Sequence, residues 1–548
     1  MVLPPRVYQF LVGVFAAVGS FLYGYDLTIV AEGMKTYGLH RIYLDLLLLT
    51  DAYHFTPTTA EIGLVASLLT AGAFVGAAIA GTISDYFGRR GTILSGGLVF
   101  CLGGGLQTGA QNYNYVISGR FIGGIGIGIL TMIVPLYQAE LAHPDIRGLV
   151  TGLQQFMLGV GGVCGAWISY GTYVSFSDDR QWQIPFGLQI APAGILSALI
   201  FLFPESPRWL LQKGKDEQGL ATLARLHSQG NTHDPWVMAE FQQIQLQVAT
   251  EAEAEAKSLS ELFRTRANFR RVMLACAIQA ATQMTGISAI QYYSVTIFVS
   301  SLFFSQLISC LRTLQKQIGI NGTDTLRYQA INSVIGLIGE IVIMAFVDKV
   351  GRRIMIIVGN LAMCVTYIVS TVLMAEFPAS EDNSGAHWGF IIMTWLFNFC
   401  FASMGSLSWI VPAEIFDTAT RAKGVALATM TSFAFKLVYL PVSFTSQNAN
   451  KHSSTMIGQV TPIGMQDVGW RFYILFVVTN LSNAIFFWAM LPETRKLPLE
   501  EMNRLFSDAP LFVGSRDMSR YTINETSEMA RNIDDKQHQQ DGDNIHIE

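Results

Sequence analysis

The chain has 548 residues, of which 51% are hydrophobic and only 14% charged, with a mean hydropathy of +0.37 and a formal net charge of −5 at pH 7. A soluble chain of this size needs about 25% charged residues to cover its surface, so lipid is the expected solvent, and the acidic balance lacks the basic patch that nucleic acid requires. The six cysteines, Cys101, Cys164, Cys276, Cys310, Cys364 and Cys400, lie mostly in apolar runs without metal-ligand spacing and read as buried small hydrophobes.

Arg6 precedes a long apolar run with no small-residue cleavage site, which predicts a retained membrane span rather than a cleaved signal peptide. Inside that run, Gly24-Tyr25-Asp26 places a lone carboxylate among apolar residues from Phe10 to Ile29. A charge at such depth costs roughly 2.5–3.5 kcal/mol on insertion scales, so it normally faces a polar cavity, a partner or a transported species. Asp26 is therefore the first functional candidate, although sliding the span by a turn would put it at the outer interface instead.

Apolar windows of bilayer length recur at 8–30, 62–84, 92–111, 114–136, 149–173 and 183–203, and again at 272–298, 328–347, 354–375, 388–412, 422–440 and 470–491. They predict an all-α polytopic membrane protein of twelve transmembrane helices, divided into halves at 1–203 and 272–506. Residues 204–271 carry Lys213, Lys215, Arg225 and the acidic run Glu251 to Glu255, and read as short amphipathic helices in water. The polar, aromatic-poor tail 507–548 reads as disordered. Arginine and lysine gather in alternate loops, which predicts a cytoplasmic side with both termini on it.

The two halves repeat one another. Asp85-Tyr-Phe-Gly-Arg-Arg90 returns as Asp348-Lys-Val-Gly-Arg-Arg353, Glu140 seven before Arg147 returns as Glu414 seven before Arg421, and Pro204-Glu-Ser-Pro-Arg208 returns as Pro492-Glu-Thr-Arg495. Internal duplication of a six-span unit marks a secondary transporter, whose substrate site lies between the halves. The recurring acids and arginines (Asp85, Arg89, Arg90, Glu140, Arg147, Glu205, Arg208, Asp348, Arg352, Arg353, Glu414, Arg421) suit a cytoplasmic gate, with Glu140 set against Arg147 and Glu414 against Arg421 as its closing pairs, since desolvated arginine networks can differ in energy between two conformations.

These motifs, together with Gly119-Arg120-Phe-Ile-Gly-Gly124, Pro135-Leu-Tyr-Gln-Ala-Glu-Leu-Ala142, Gln283-Met-Thr-Gly-Ile287 and Pro412-Ala-Glu-Ile-Phe416, resemble the sugar porter family of the major facilitator superfamily. The likeness runs over about residues 8–506 and is nearest to fungal proton-coupled monosaccharide transporters of the glucose type. It implies that Asp26 and Arg120 couple protons, and that Gln155, Thr282, Gln283, Ser288 and Trp409 bind the sugar. It also implies an outer aromatic gate at Tyr292 and Tyr293. Amides offer hydroxyls both donors and an acceptor, and an indole face suits the C–H face of a pyranose. Departures from the family pattern are Gln189 where a second acid precedes Pro192, Thr282 and Ser288 where amides are usual, and Gly336 in place of an asparagine with Asn332 one turn earlier. Glu340 is a further intramembrane acid expected to be paired or to face the cavity. The implied partners are a monosaccharide, protons and the bilayer, with no cofactor, for a monomer in the plasma membrane.

The likeness breaks at 33–55, 299–316 and 437–454. In the third, Pro441 and a polar tract interrupt what should be one helix, leaving backbone groups unsatisfied in lipid. Its codon choices permit splice-like boundaries at Lys436-Leu437 and Ser454, so it reads as a retained intron, a reading that transcript sequence tests directly. A facilitative or polyol porter and a nontransporting nutrient receptor on the same fold are the competing readings. An enzyme is disfavoured, because no nucleophile with its base, metal cluster or phosphate loop is evident.

Overall fold

The computed structural model describes residues 4–33, 59–143, 145–253, 261–287, 322–377, 384–416, 420–437, 469–495, 502–508 and 510–514. Ser288, Tyr292, Tyr293 and, apart from Gly33 and Leu437, the three irregular stretches lie outside them. Among the described residues every regular element is a helix.

Twelve spans follow in order. The first is Pro5–Ala16 continued by Val18–Gly33; the second and third form one element, Thr59–Thr108, broken at Gly88; the fourth and fifth are Tyr113–Leu141 and Arg147–Ser175; the sixth is Arg180–Leu188 continued by Ile190–Leu199. The second half comprises Arg266–Met284, Gly322–Val350, Arg352–Glu376, Ser384–Ile415, Arg421–Leu437 and Phe472–Met490. Short helices Pro207–Gln212, Asp216–His227, Pro235–Glu253 and Glu261–Arg264 join the halves. The seventh span begins at Arg266, earlier than its apolar window, because the Thr265 hydroxyl caps it by accepting from the Asn268 N–H at 3.1 Å.

Nine described segments are apolar and long enough to cross a membrane, one of them, Ser67–Thr108, being the second and third spans together. The seventh does not qualify and is the more polar, carrying Gln279, Thr282 and Gln283; the eleventh is described over only 17 residues, among them Arg421, Lys423, Ser432 and Lys436. Polar groups at membrane depth must face protein or a cavity, and these two spans pack against each other in the interior. Leu98, Leu102, Ile195, Val358, Val365, Val478 and Ile485 instead stand 55–60% exposed on the outer surface, as expected where lipid tails are the solvent.

Close backbone approach at small residues holds each half together. Gly24 of the first span lies on the Leu158 carbonyl of the fifth, and Gly124 and Gly128 of the fourth lie on the Leu69 and Ala73 carbonyls of the second, with no room for a Cβ. Across the halves the fifth span packs on the eighth and the second on the eleventh.

The connecting helices are tied to the base of the first span. Gln9 donates from Nε2 to the Leu226 carbonyl at 2.8 Å and accepts from the His143 N–H at 3.0 Å, while the His143 and His227 rings stand 4.4 and 4.9 Å from the Trp236 ring. Burial lowers both histidines, His143 to about 4, with Asp145 opposing and Arg147 and Arg6 adding, and His227 to about 3, with His143, Arg147 and Arg208 adding. Both are neutral at pH 7. The 3.6 Å approach of His227 Nε2 to Glu240 is therefore not an ion pair there.

Candidate functional site

Asp26 turns away from the Gly24 crossing toward the fourth span, where Arg120 Nη1 donates to its Oδ2 at 2.6 Å. Both side chains are fully buried, and the Arg120 guanidinium lies 5.3 Å from the centre of the Phe186 ring. The expected pair is thus in contact, but by a single bond. Among the described residues Asp26 Oδ1 and Arg120 Nε and Nη2 find no hydrogen-bond partner. A bidentate pair would satisfy more of these atoms, so this one holds together with buried polar capacity unfilled. Gln189 is fully buried at the break in the sixth span, and neither end of its amide has a described hydrogen-bond partner.

Between the halves lie two adjoining chambers. Gln155, Gln279, Thr282, Gln283, Ser432 and Trp409 contribute to the first. Gln155 reaches across the halves: its Oε1 accepts from Trp409 Nε1 at 3.2 Å and its Nε2 donates to Glu340 Oε1 at 3.0 Å. Gln283 Nε2 donates to Ser432 Oγ at 3.0 Å. The Thr282 hydroxyl bonds its own helix at the Ile278 carbonyl, 2.7 Å away, and so does not stand in for a missing amide. Gln279 supplies one, donating to the Ser408 carbonyl at 2.8 Å and leaving Oε1 without a described hydrogen-bond partner. Sequence reasoning missed it, although residues 279, 282 and 283 share one helical face.

Gln329, Asn332, Ser333, Glu340 and Asn398 contribute to the second chamber, which meets the first along Leu27, Gln155, Leu158 and Phe401. A Cβ on Gly336 would lie 2.6 Å from the Asn398 amide nitrogen, which donates to the Asn332 carbonyl at 2.9 Å. The amide absent at 336 thus enters from the tenth span. Glu340 faces this chamber, and Ser406 Oγ donates to its Oε2 at 2.7 Å.

At the arginine-rich end the repeat becomes two copies of one geometry. Arg89 grips Glu140 with both arms, at 2.8 and 2.7 Å, and the Arg89 and Arg90 N–H groups donate to the two oxygens of Glu205 at 3.0 and 3.3 Å. In the second half Arg352 donates to Glu414 at 2.9 Å, and the Arg352 and Arg353 N–H groups donate to Glu493 at 2.9 and 3.2 Å. Gly88 (φ 79°) and Gly351 (φ 102°) turn these N–H pairs onto their carboxylates. Arg147, Arg208 and Arg421 are buried in the same region, the last donating to the Phe416 carbonyl at 2.9 and 3.1 Å, and the Asp85 carbonyl accepts from Trp209 Nε1 at 3.2 Å.

One expectation is corrected here. The seven-residue spacing suggested that Glu140 pairs with Arg147 and Glu414 with Arg421, whereas the bonds described for these carboxylates come from Arg89, Arg352 and Thr494. The fourth span ends at Leu141 and the chain turns before Arg147 opens the fifth, so the spacing does not lie along one helix. Across the halves, Asp348 Oδ2 accepts from the Leu149 N–H at 2.8 Å, which ties the eighth span to the start of the fifth at this end.

The family model described as "Sugar (and other) transporter" matches residues 12–506. The chain is 31% identical to "MFS-type transporter criB" of Aspergillus cristatus, covering 90% of this chain and 93% of that one. It is 27% identical to a "High-affinity glucose transporter" of Kluyveromyces lactis over 92% and 86% of the two chains. The fold is shared with a solved structure of the major facilitator "proton:xylose symporter XylE bound to 6-bromo-6-deoxy-D-glucose", with a TM-score of 0.72 at 22% identity over 92% of this chain and all of that one. With twelve spans, a repeated arginine network and a family match over nearly its whole length, this chain belongs to the sugar transporter family of the major facilitator superfamily.

Proposed function

We propose that the protein is a monomer that carries a neutral monosaccharide, a hexose of the glucose type, across the plasma membrane in symport with protons, with its arginine-rich end and both termini in the cytoplasm. The observation that carries this reading is the fully buried Asp26–Arg120 pair at 2.6 Å, whose carboxylate is on the same span as the Tyr23 and Leu27 that line the first chamber. A proton on Asp26 cancels the ion pair and lets the first and fourth spans part, so occupancy by the proton is tied to conformation. The sugar sits between the halves, where Gln155, Gln279 and Gln283 offer amides and Trp409 an indole. Alternating access then closes one end of the cavity while opening the other. Residues 1–203, 204–271, 272–506 and 507–548 serve as first half, linker, second half and tail, with the last six linker residues already in the first turns of the seventh span.

Expression in cells lacking hexose carriers, with a labelled panel of hexoses, pentoses and polyols and a record of external pH, tests substrate and coupling together. Hexose uptake with alkalinisation of the medium is expected. Asp26→Asn, which keeps the shape and loses the titration, should sharply reduce accumulation against a gradient while sparing exchange. Full pH-driven accumulation by that variant, or uptake indifferent to a protonophore, overturns the coupling.

A further inference from the structure

Glu340 has no part in the mechanism above, yet it is 5% exposed at the junction of the two halves. An ion at membrane depth needs an answering charge or a proton. Arg120 answers Asp26, but the described bonds to Glu340 come only from the neutral Gln155 and Ser406. Against it lie Gln155 and Gly159 of the fifth span and Ser406 of the tenth, and it shares the chamber with Phe401 of the tenth span and Gly24, Leu27 and Thr28 of the first, none of which titrates. On the first and eleventh spans, Asp26 is bonded by Arg120, and Tyr23 accepts from Lys436 in the first chamber. Glu340 is the sole ionisable group among the described residues lining the second chamber.

We propose that Glu340 is a second proton-carrying residue, linked to sugar through Gln155. This rests on the symport reading and deepens it. Gln155 joins the sugar-facing indole of Trp409 in one direction to Glu340 in the other. A sugar hydroxyl that takes Gln155 Nε2 removes one of the two donors holding the carboxylate, and so changes its hold on a proton. By reciprocity, the proton on Glu340 changes the affinity for sugar by the same factor. The proton enters from water in the chamber and leaves to water when the opposite end opens, with only an O–H bond made and broken. Since Gln155 belongs to the first half and Glu340 and Trp409 to the second, parting the halves also breaks the link.

Equilibrium binding of labelled D-glucose, or of whichever neutral sugar the uptake panel identifies, measured from pH 5 to 8.5 on the purified full chain, tests this. Asp26→Asn should still show at least a fivefold change in Kd across that range, and Asp26→Asn with Glu340→Gln a change below 1.5-fold. Glutamine can still accept from Gln155 Nε2 through its oxygen and donate through its nitrogen to Ser406 Oγ, reversing that bond rather than losing it, and monodispersity reports folding. A flat profile in Asp26→Asn alone, or a persistent one in the double variant, overturns the proposal. If the glutamine variant does not fold, Glu340→Asp in the Asp26→Asn background must move the midpoint, and an unmoved midpoint overturns it. A wild type that binds and transports no neutral sugar defeats the symport reading and this one with it. A wild type that symports while the variants disagree defeats only this one.

Discussion

Trp409 is 7% exposed and its indole N–H is committed to Gln155, so its ring is held in place before any sugar arrives. Preorganisation of this kind limits the ordering cost of binding. Trp409→Ala and Gln283→Ala should each weaken sugar binding by about 1–3 kcal/mol, through lost stacking surface or a lost buried polar contact. Apparent affinities from competition binding check this, and unchanged values in both would move the site elsewhere. Thr282→Val should be nearly neutral by the same assay, because that hydroxyl bonds its own helix at 2.7 Å.

At the scale of the element, Gly88 and Gly351 fix the turns between paired spans. A Cβ at Gly88 would fall 2.6 Å from Glu205 Oε2, and one at Gly351 2.5 Å from Glu493 Oε2, in a backbone region that disfavours side chains. Gly88→Ala and Gly351→Ala should each destabilise by about 1–3 kcal/mol, seen as a lower Tm in detergent. The connecting helices follow a different rule. His143 and His227 have folded values of about 4 and 3, below the ordinary 6.5. Their undocked state binds protons first, so docking is fully stable above about pH 6.5 and weakens as pH falls toward those folded values. Protection of Pro235–Glu253 against hydrogen exchange, corrected for the intrinsic pH dependence of exchange, should therefore fall between pH 7.5 and 5, and less so in His227→Gln. Equal protection at both pH values in the wild type would refute it.

For the whole molecule, the arginine-rich end combines anchor and latch. Arg89 and Glu140 are 3% and 1% exposed in their side chains, so reversing one charge leaves a buried ion unanswered, at a cost of about 3–5 kcal/mol. Glu140→Lys should lower the folded yield and Arg89→Glu should restore part of it, as measured by surface abundance. The Leu149–Asp348 bond is the part that must break on opening, because it crosses the halves. Asp348→Ala should shift the carrier toward opening at this end, and each 1.4 kcal/mol of bias is about tenfold in the ratio of states. Spin-label distances between the ends of the fifth and eighth spans report that shift, and an unchanged distribution would assign the closure to packing alone.

Hydropathy periods, the positions of arginines and the repeated motifs were sufficient to determine twelve spans and two halves and to single out Asp26, because lipid imposes its length and polarity rules segment by segment, whereas Arg120 as its partner came from the family resemblance. The same local rules missed the start of the seventh span, where a threonine cap extends the helix beyond its apolar window. They also could not say which arginine meets which acid. A spacing of seven from Glu140 to Arg147 made a plausible pair, but a helix end intervenes, and the bidentate partner is Arg89, which follows the turn between the second and third spans. Gln279, Asn398 and the neighbours of Glu340 likewise became visible only once spans from both halves were packed, since whether a polar side chain faces a cavity depends on what covers it.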